Sequence, residues 1–75
     1  MKLEELFASI LEVSAAELTD RSSQASLRSW DSLAHINIIS ALEEVYGVCF
    51  STDEIQNMKS LGDARKLLSA KRVAI

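Results

Sequence analysis

Seventy-five residues amount to one small domain, 1–75, with no room for a second of ordinary size, and 48% hydrophobic against 25% charged residues describe a chain that folds. Eight basic and eleven acidic side chains leave a net charge of −3, a poor balance for general nucleic-acid binding. A single cysteine, Cys49, and a single histidine, His35, exclude an internal disulfide and a four-ligand zinc site, so no bound metal is expected.

With no proline and two glycines, and with apolar residues recurring at three and four, the chain reads as all-α. Leu3, Leu6, Phe7, Ile10 and Leu11 form one face of a first helix over 2–13. Ser14 with Glu17 has the spacing of a capping box, enough for one turn that buries Leu18. From Thr19 to Ser29 the sequence is polar and aperiodic apart from Leu27, which predicts a long mobile loop. Such a loop exceeds the usual connection in a bundle, and long ordered loops are more often functional than not. The segment just after it is therefore the first place to look for a site.

Asp31 is the predicted N-cap of the longest helix, with Leu33, Ile36, Ile39, Leu42, Val45 and Tyr46 as its apolar stripe, Ile38 and Ala41 widening it, and Gly47 as its stop. Ser51 with Glu54 opens a short third helix carrying Ile55 and Met58. Ser60 and Asp63 begin the last, whose Leu61, Ala64, Leu67 and Leu68 share a face. The expected fold is therefore an up-and-down four-helix bundle with a long loop between helices 1 and 2 and a short third helix. Its net stability is expected to be about 3 to 5 kcal/mol.

Val45 to Phe50, the most apolar run, falls well short of the roughly 20 residues that cross a bilayer. Glu4, Glu5 and Glu12 interrupt the place where a secretory signal needs its apolar region. A cytoplasmic monomer that does not engage membranes is expected. Trp30 reads as an apolar anchor for the loop, His35 as a solvated residue on the exposed side of its helix, and Cys49 as a small buried hydrophobe. Arg65, Lys66, Lys71 and Arg72 read as a solvated helix end that complements the dipole.

The informative tract is Ser29-Trp30-Asp31-Ser32-Leu33-Ala34-His35-Ile36, which sets a serine in the first turn of the central helix. The free N–H groups and partial positive charge there favour a phosphate on Ser32. With no second histidine, and no evident carboxylate to orient His35, nucleophilic catalysis is not expected.

Asp31-Ser32-Leu33, then Ile36, Ile39, Leu42-Glu43-Glu44, Tyr46-Gly47-Val48 and Ser51-Thr52-Asp53-Glu54-Ile55, resembles the acyl carrier protein family over essentially the whole chain. The resemblance implies that Ser32 bears a 4′-phosphopantetheine arm from coenzyme A, flanked by Asp31 and Leu33, and that the protein is a carrier and not an enzyme. It implies a phosphopantetheinyl transferase, an acyl-loading ligase or acyltransferase, and ketosynthase-type or other acyl-consuming enzymes as partners. Glu43, Glu44, Asp53 and Glu54 match the acidic docking residues of that family, and Trp30 and His35 are candidate additional contacts. Ile36, Ile39, Ile55 and Met58 are the expected lining of an acyl-chain pocket. Ala34 and Asn37 stand where carriers of fatty acid synthesis are usually acidic, and Trp-Asp-Ser-Leu is similar to stand-alone carriers of specialised pathways. The alternatives are an aminoacyl or peptidyl carrier, although the Gly-Gly-x-Ser tract of peptidyl carriers is missing, and an unmodified helical adaptor.

Overall fold

The computed structural model describes residues 2–73. Among them are α1 (Leu3–Leu11), a single 3-10 turn (Ala15–Glu17), α2 (Ser32–Tyr46), α3 (Thr52–Asn57) and α4 (Leu61–Ala70), with no strand. The architecture is the expected four-helix bundle with a long first connection and a short third helix.

Leu3, Leu6, Phe7 and Leu11 turn one face of α1 into the core, where α2 and α4 pack against it. Glu12 ends the helix in the left-handed conformation at φ 58°, a shape that costs a residue with a Cβ about 1–2 kcal/mol. Ser14 caps the next turn by accepting from the Ala16 N–H, while the Glu17 N–H goes to the Ser14 carbonyl, so the expected capping box does not form. Leu18 is buried after it.

The connection from Thr19 to Ser29 is more structured than its composition suggests. Its serines close successive turns: the Ser22 hydroxyl accepts from the Thr19 N–H and the Ser26 hydroxyl from the Ser23 N–H. Its carbonyls also serve the head of α4, since Leu61 N–H donates to Ser22 and Gly62 N–H to Asp20. Those two amides belong to the set that a helix start leaves without intrahelical partners. Arg65 fastens the same joint through Asp20 of the loop and Glu4 of α1.

The phase of α2 differs from the sequence expectation. Its buried residues are Ala34, Ile38, Ile39 and Leu42, whereas Leu33, Ile36 and Val45 are exposed. Apolar residues lie almost all round this helix, so its own pattern fixes the rotation weakly. Burial of Trp30 immediately before the helix and the contact of His35 with α3 decide it instead. Gly47 closes α2 at φ 65°, as expected of a C-cap glycine.

Ser51 and Glu54 complete a true capping box on α3. Ser60 caps α4 by accepting from the Asp63 N–H, and the Asp63 carboxylate accepts in return from the Lys59 N–H. Cys49, expected in the core, is exposed; its neighbour Phe50 takes the buried position. No helix among the described residues is long and apolar enough to cross a membrane.

Candidate functional site

The head of α2 is built on Trp30 and Asp31. Trp30 is 1% exposed and meets the Phe7 ring edge-on, with centroids 5.4 Å apart and planes at 73°. This contact anchors the end of the loop to α1. Asp31, still extended at φ −92° and ψ −172°, accepts from the Ala34 N–H through Oδ1 at 2.8 Å and from the His35 N–H through its carbonyl at 2.9 Å. That pair of bonds starts the helix and leaves Ser32 as its first residue, with an exposed side chain.

Beside Ser32 the surface is apolar. Leu33 is 68% and Ile36 60% exposed, one helical turn apart. Ile36 thus faces solvent and is separated from the other three residues expected to line an acyl pocket: Ile39 and Met58 are buried and Ile55 half-buried in the core cluster.

The expected acidic docking residues divide into two pairs. Glu44 and Asp53 are exposed. Glu43 turns inward to accept from the Phe50 N–H at 3.0 Å, and Glu54 accepts from the Ser51 N–H at 2.9 Å and from Lys71 Nζ at 3.0 Å. The Ser51 N–H, with help from Lys71, holds the Glu54 carboxyl below its ordinary value. Lys71 also lies 5.4 Å from the Phe50 ring centroid, so this lysine ties α4 to the start of α3 in addition to meeting the dipole at its own helix end.

Trp30 and His35 are both engaged in bonds inside the molecule. Trp30 Nε1 donates to His35 Nδ1 at 3.1 Å, and His35 Nε2 lies 2.9 Å from the Ile55 carbonyl oxygen. The half-buried histidine therefore joins the loop, α2 and α3, in place of the solvated position expected for it. Sequence reasoning missed this link, although a signal existed. A buried indole N–H requires an acceptor, and His35 is the aromatic acceptor carried one turn into the following helix.

No family model matches the chain, and no curated protein matches it in sequence. Among solved structures it is similar to a holo acyl carrier protein from Geobacter metallireducens, with a TM-score of 0.83, 33% identity, and coverage of 93% of this chain and 80% of that one. A chain from Mycobacterium tuberculosis, provisionally described as an acyl carrier protein, superposes with a TM-score of 0.79. It is 23% identical, over 93% of this chain and 99% of that one, and shows the shared fold alone.

Proposed function

Because the chain belongs to the acyl carrier protein family, we propose that it carries acyl intermediates on a 4′-phosphopantetheine arm attached through a phosphodiester to Ser32, within one carrier domain formed by the whole chain. The observation that carries this reading is the placement of Ser32: exposed, first in α2, and set there by the Asp31 cap. The site fits the group. The hydroxyl is accessible to a transferase, the first turn supplies a favourable field for the phosphodiester, and Leu33 and Ile36 offer apolar surface beside it. When bound, the arm supplies a thiol that holds acyl groups as thioesters.

The chain's own residues position and present; none is assigned a chemical step, and the protein is read as a carrier and not an enzyme. Partner enzymes, among them a phosphopantetheinyl transferase, a loading ligase or acyltransferase and an acyl-consuming enzyme, are proposed to meet the apolar Leu33 and Ile36 together with the exposed acids Glu44 and Asp53. An acyl chain entering between α2 and α3 would meet Ile39, Ile55 and Met58. The pathway is read as fatty acid, polyketide-like or other specialised biosynthesis in the cytoplasm, with Trp30 and the neutral Ala34 and Asn37 at the front of α2 favouring a specialised one.

Incubation of the purified protein with coenzyme A and a broad-specificity phosphopantetheinyl transferase, followed by intact mass and peptide mapping, tests the proposal. One phosphopantetheine on Ser32, and none on Ser32→Ala, is the expected result. No addition under conditions that modify a control carrier would overturn it in favour of the unmodified adaptor.

A further inference from the structure

A chain passing from the head of α2 into the core between α2 and α3 meets His35 first. Ser32 and His35 stand three positions apart and so share a side of α2, and from there His35 reaches across to α3. Its Nε2 lies 2.9 Å from the Ile55 carbonyl oxygen, while its Nδ1 accepts from Trp30 Nε1 at 3.1 Å. The carbonyl can only accept and the indole can only donate, so one imidazole with its proton on Nε2 satisfies both. The indole and imidazole rings are stacked, 23° from parallel with centroids 6.1 Å apart. Trp30, His35 and the Ile55 backbone thus make a polar bar between the two helices, with the buried Ile39 one helical turn beyond it.

The chemistry of the bar decides what can pass. A hydrocarbon chain has neither donor nor acceptor, so one wedged between α2 and α3 would break the His35–Ile55 bond and put nothing in its place. Trp30 is buried, and any shift of His35 would leave the indole N–H without a partner where water is no substitute, a costly state for a polar group. A space walled by alkyl groups alone would part without that loss. The α3 side is also seated from within, since Ile55 packs against the core cluster and Met58 is part of it. The apolar hollow between α1 and α2, about 180 Å³ and lined by Leu6, Ser9, Ile10, Ala41 and Val45, offers no detour. Ala41 lies roughly two and a half turns beyond Ser32, which puts it on the opposite side of α2.

We propose that His35 is a specificity-determining residue that bars acyl chains from the core, and that the cargo is a short or polar acyl group held outside the bundle. The inference deepens the carrier reading and rests on it. Every methylene kept in water adds to the free energy of the loaded state, so a carrier that gives its cargo no interior shelter disfavours long alkyl chains. A short chain, or one bearing hydroxyl, amine or carboxylate groups, loses little in the same position.

The test loads the wild-type chain from acetyl-coenzyme A and, separately, from octanoyl-coenzyme A with a broad-specificity phosphopantetheinyl transferase, and intact mass reports the loading. The methyl NMR shifts of Ile39, Ile55 and Met58 and the Trp30 indole N–H shift should coincide in the two products. Hydroxylamine should cleave the two protein thioesters in the same rate ratio as the two free coenzyme A thioesters, because neither is sheltered. In His35→Ala, which removes the bar, the octanoyl form should differ from the acetyl form at Ile39, Ile55 and Met58, a dependence on cargo that a merely structural role of His35 would not produce. Octanoyl-dependent shifts at those residues in the wild type would overturn the inference and leave the carrier reading intact. Their absence from both the wild type and a folded His35→Ala would overturn the role given to His35. No mass gain from either thioester, under conditions that load a control carrier, would overturn the carrier reading and this inference with it. The wild-type comparison decides whether the core is closed to the chain even where the variant folds poorly.

Discussion

Gly62 and Asp20 approach so closely that the Gly62 N–H donates to the Asp20 carbonyl over 2.9 Å, and a methyl group on Gly62 would stand 2.9 Å from the same oxygen. The contact is backbone against backbone, so it has no flexible side chain to move aside. Gly62→Ala is therefore expected to destabilise the protein. Overpacking costs about 1–3 kcal/mol and opposes a helix-propensity gain of about 1 kcal/mol. Urea unfolding should give a lower midpoint with an unchanged slope; a raised midpoint would show that the loop yields freely.

Glu12 predicts the opposite sign. It holds a left-handed conformation at φ 58° with an exposed side chain. Glu12→Gly removes the Cβ strain at the cost of some entropy in the unfolded chain, and a gain of about 0.5–1 kcal/mol is expected. Thermal unfolding should rise by a few degrees.

Trp30 joins α1 through Phe7 and α3 through His35. Trp30→Ala should cost about 3–5 kcal/mol, the scale of the whole stability expected for a chain this short, and should leave a largely unfolded protein by circular dichroism. Trp30→Phe keeps an aromatic ring against Phe7 and loses the N–H. It should fold, with reduced amide protection in α3.

The carboxyl of Glu54 is lowered by the Ser51 N–H and by Lys71. A carboxylate whose value is depressed on folding stabilises the fold above its ordinary value of 4.5, and that contribution is lost as the pH falls through the lowered value. Wild type and Glu54→Gln should thus differ in urea midpoint at pH 7 and converge in acid. A difference that stays constant down to full protonation would exclude the ionised Glu54 as its source.

Asp31 combines a local and a proposed external role, which two substitutions separate. Asp31→Ala removes the acceptor for the Ala34 N–H and should cost about 1 kcal/mol. Asp31→Asn keeps an acceptor of similar capping strength and should be nearly neutral in stability. Slower phosphopantetheine transfer to Asp31→Asn would then report on recognition of the carboxylate alone.

Local signals were the legible part of this fold. Asp31, Ser51 and Ser60 each cap the helix that begins just after them, and Gly47 ends α2 in the left-handed region, because caps depend on residues three or four apart. Features set at long range escaped. The rotation of α2 depends on Trp30 and on Ile55, twenty residues beyond His35, and no periodicity within 32–46 contains that information. Cys49 stays outside while Phe50 goes in for a similar reason: the Phe50 N–H is drawn in by Glu43 on the preceding helix. At the candidate site, the placement of Ser32 at the head of α2 behind the Asp31 cap was readable from the local sequence. The inward use of Glu43 and Glu54 was not, since an acidic residue in sequence carries no mark of its bonding partner.

The joint made by Arg65 has a consequence for synthesis. It bonds Glu4, 61 positions away in sequence, and Asp20, 45 positions away, while the Ser22 and Asp20 carbonyls wait for the amides of Leu61 and Gly62. A chain emerging from its N-terminus releases α1, the serine-rich connection and all of α2 before any of these partners exists. The turns that lead to Trp30 and the head of α2 are thus completed by α4, which is synthesised after them, and a nascent chain stopped short of residue 60 would display Ser32 on an unfinished support.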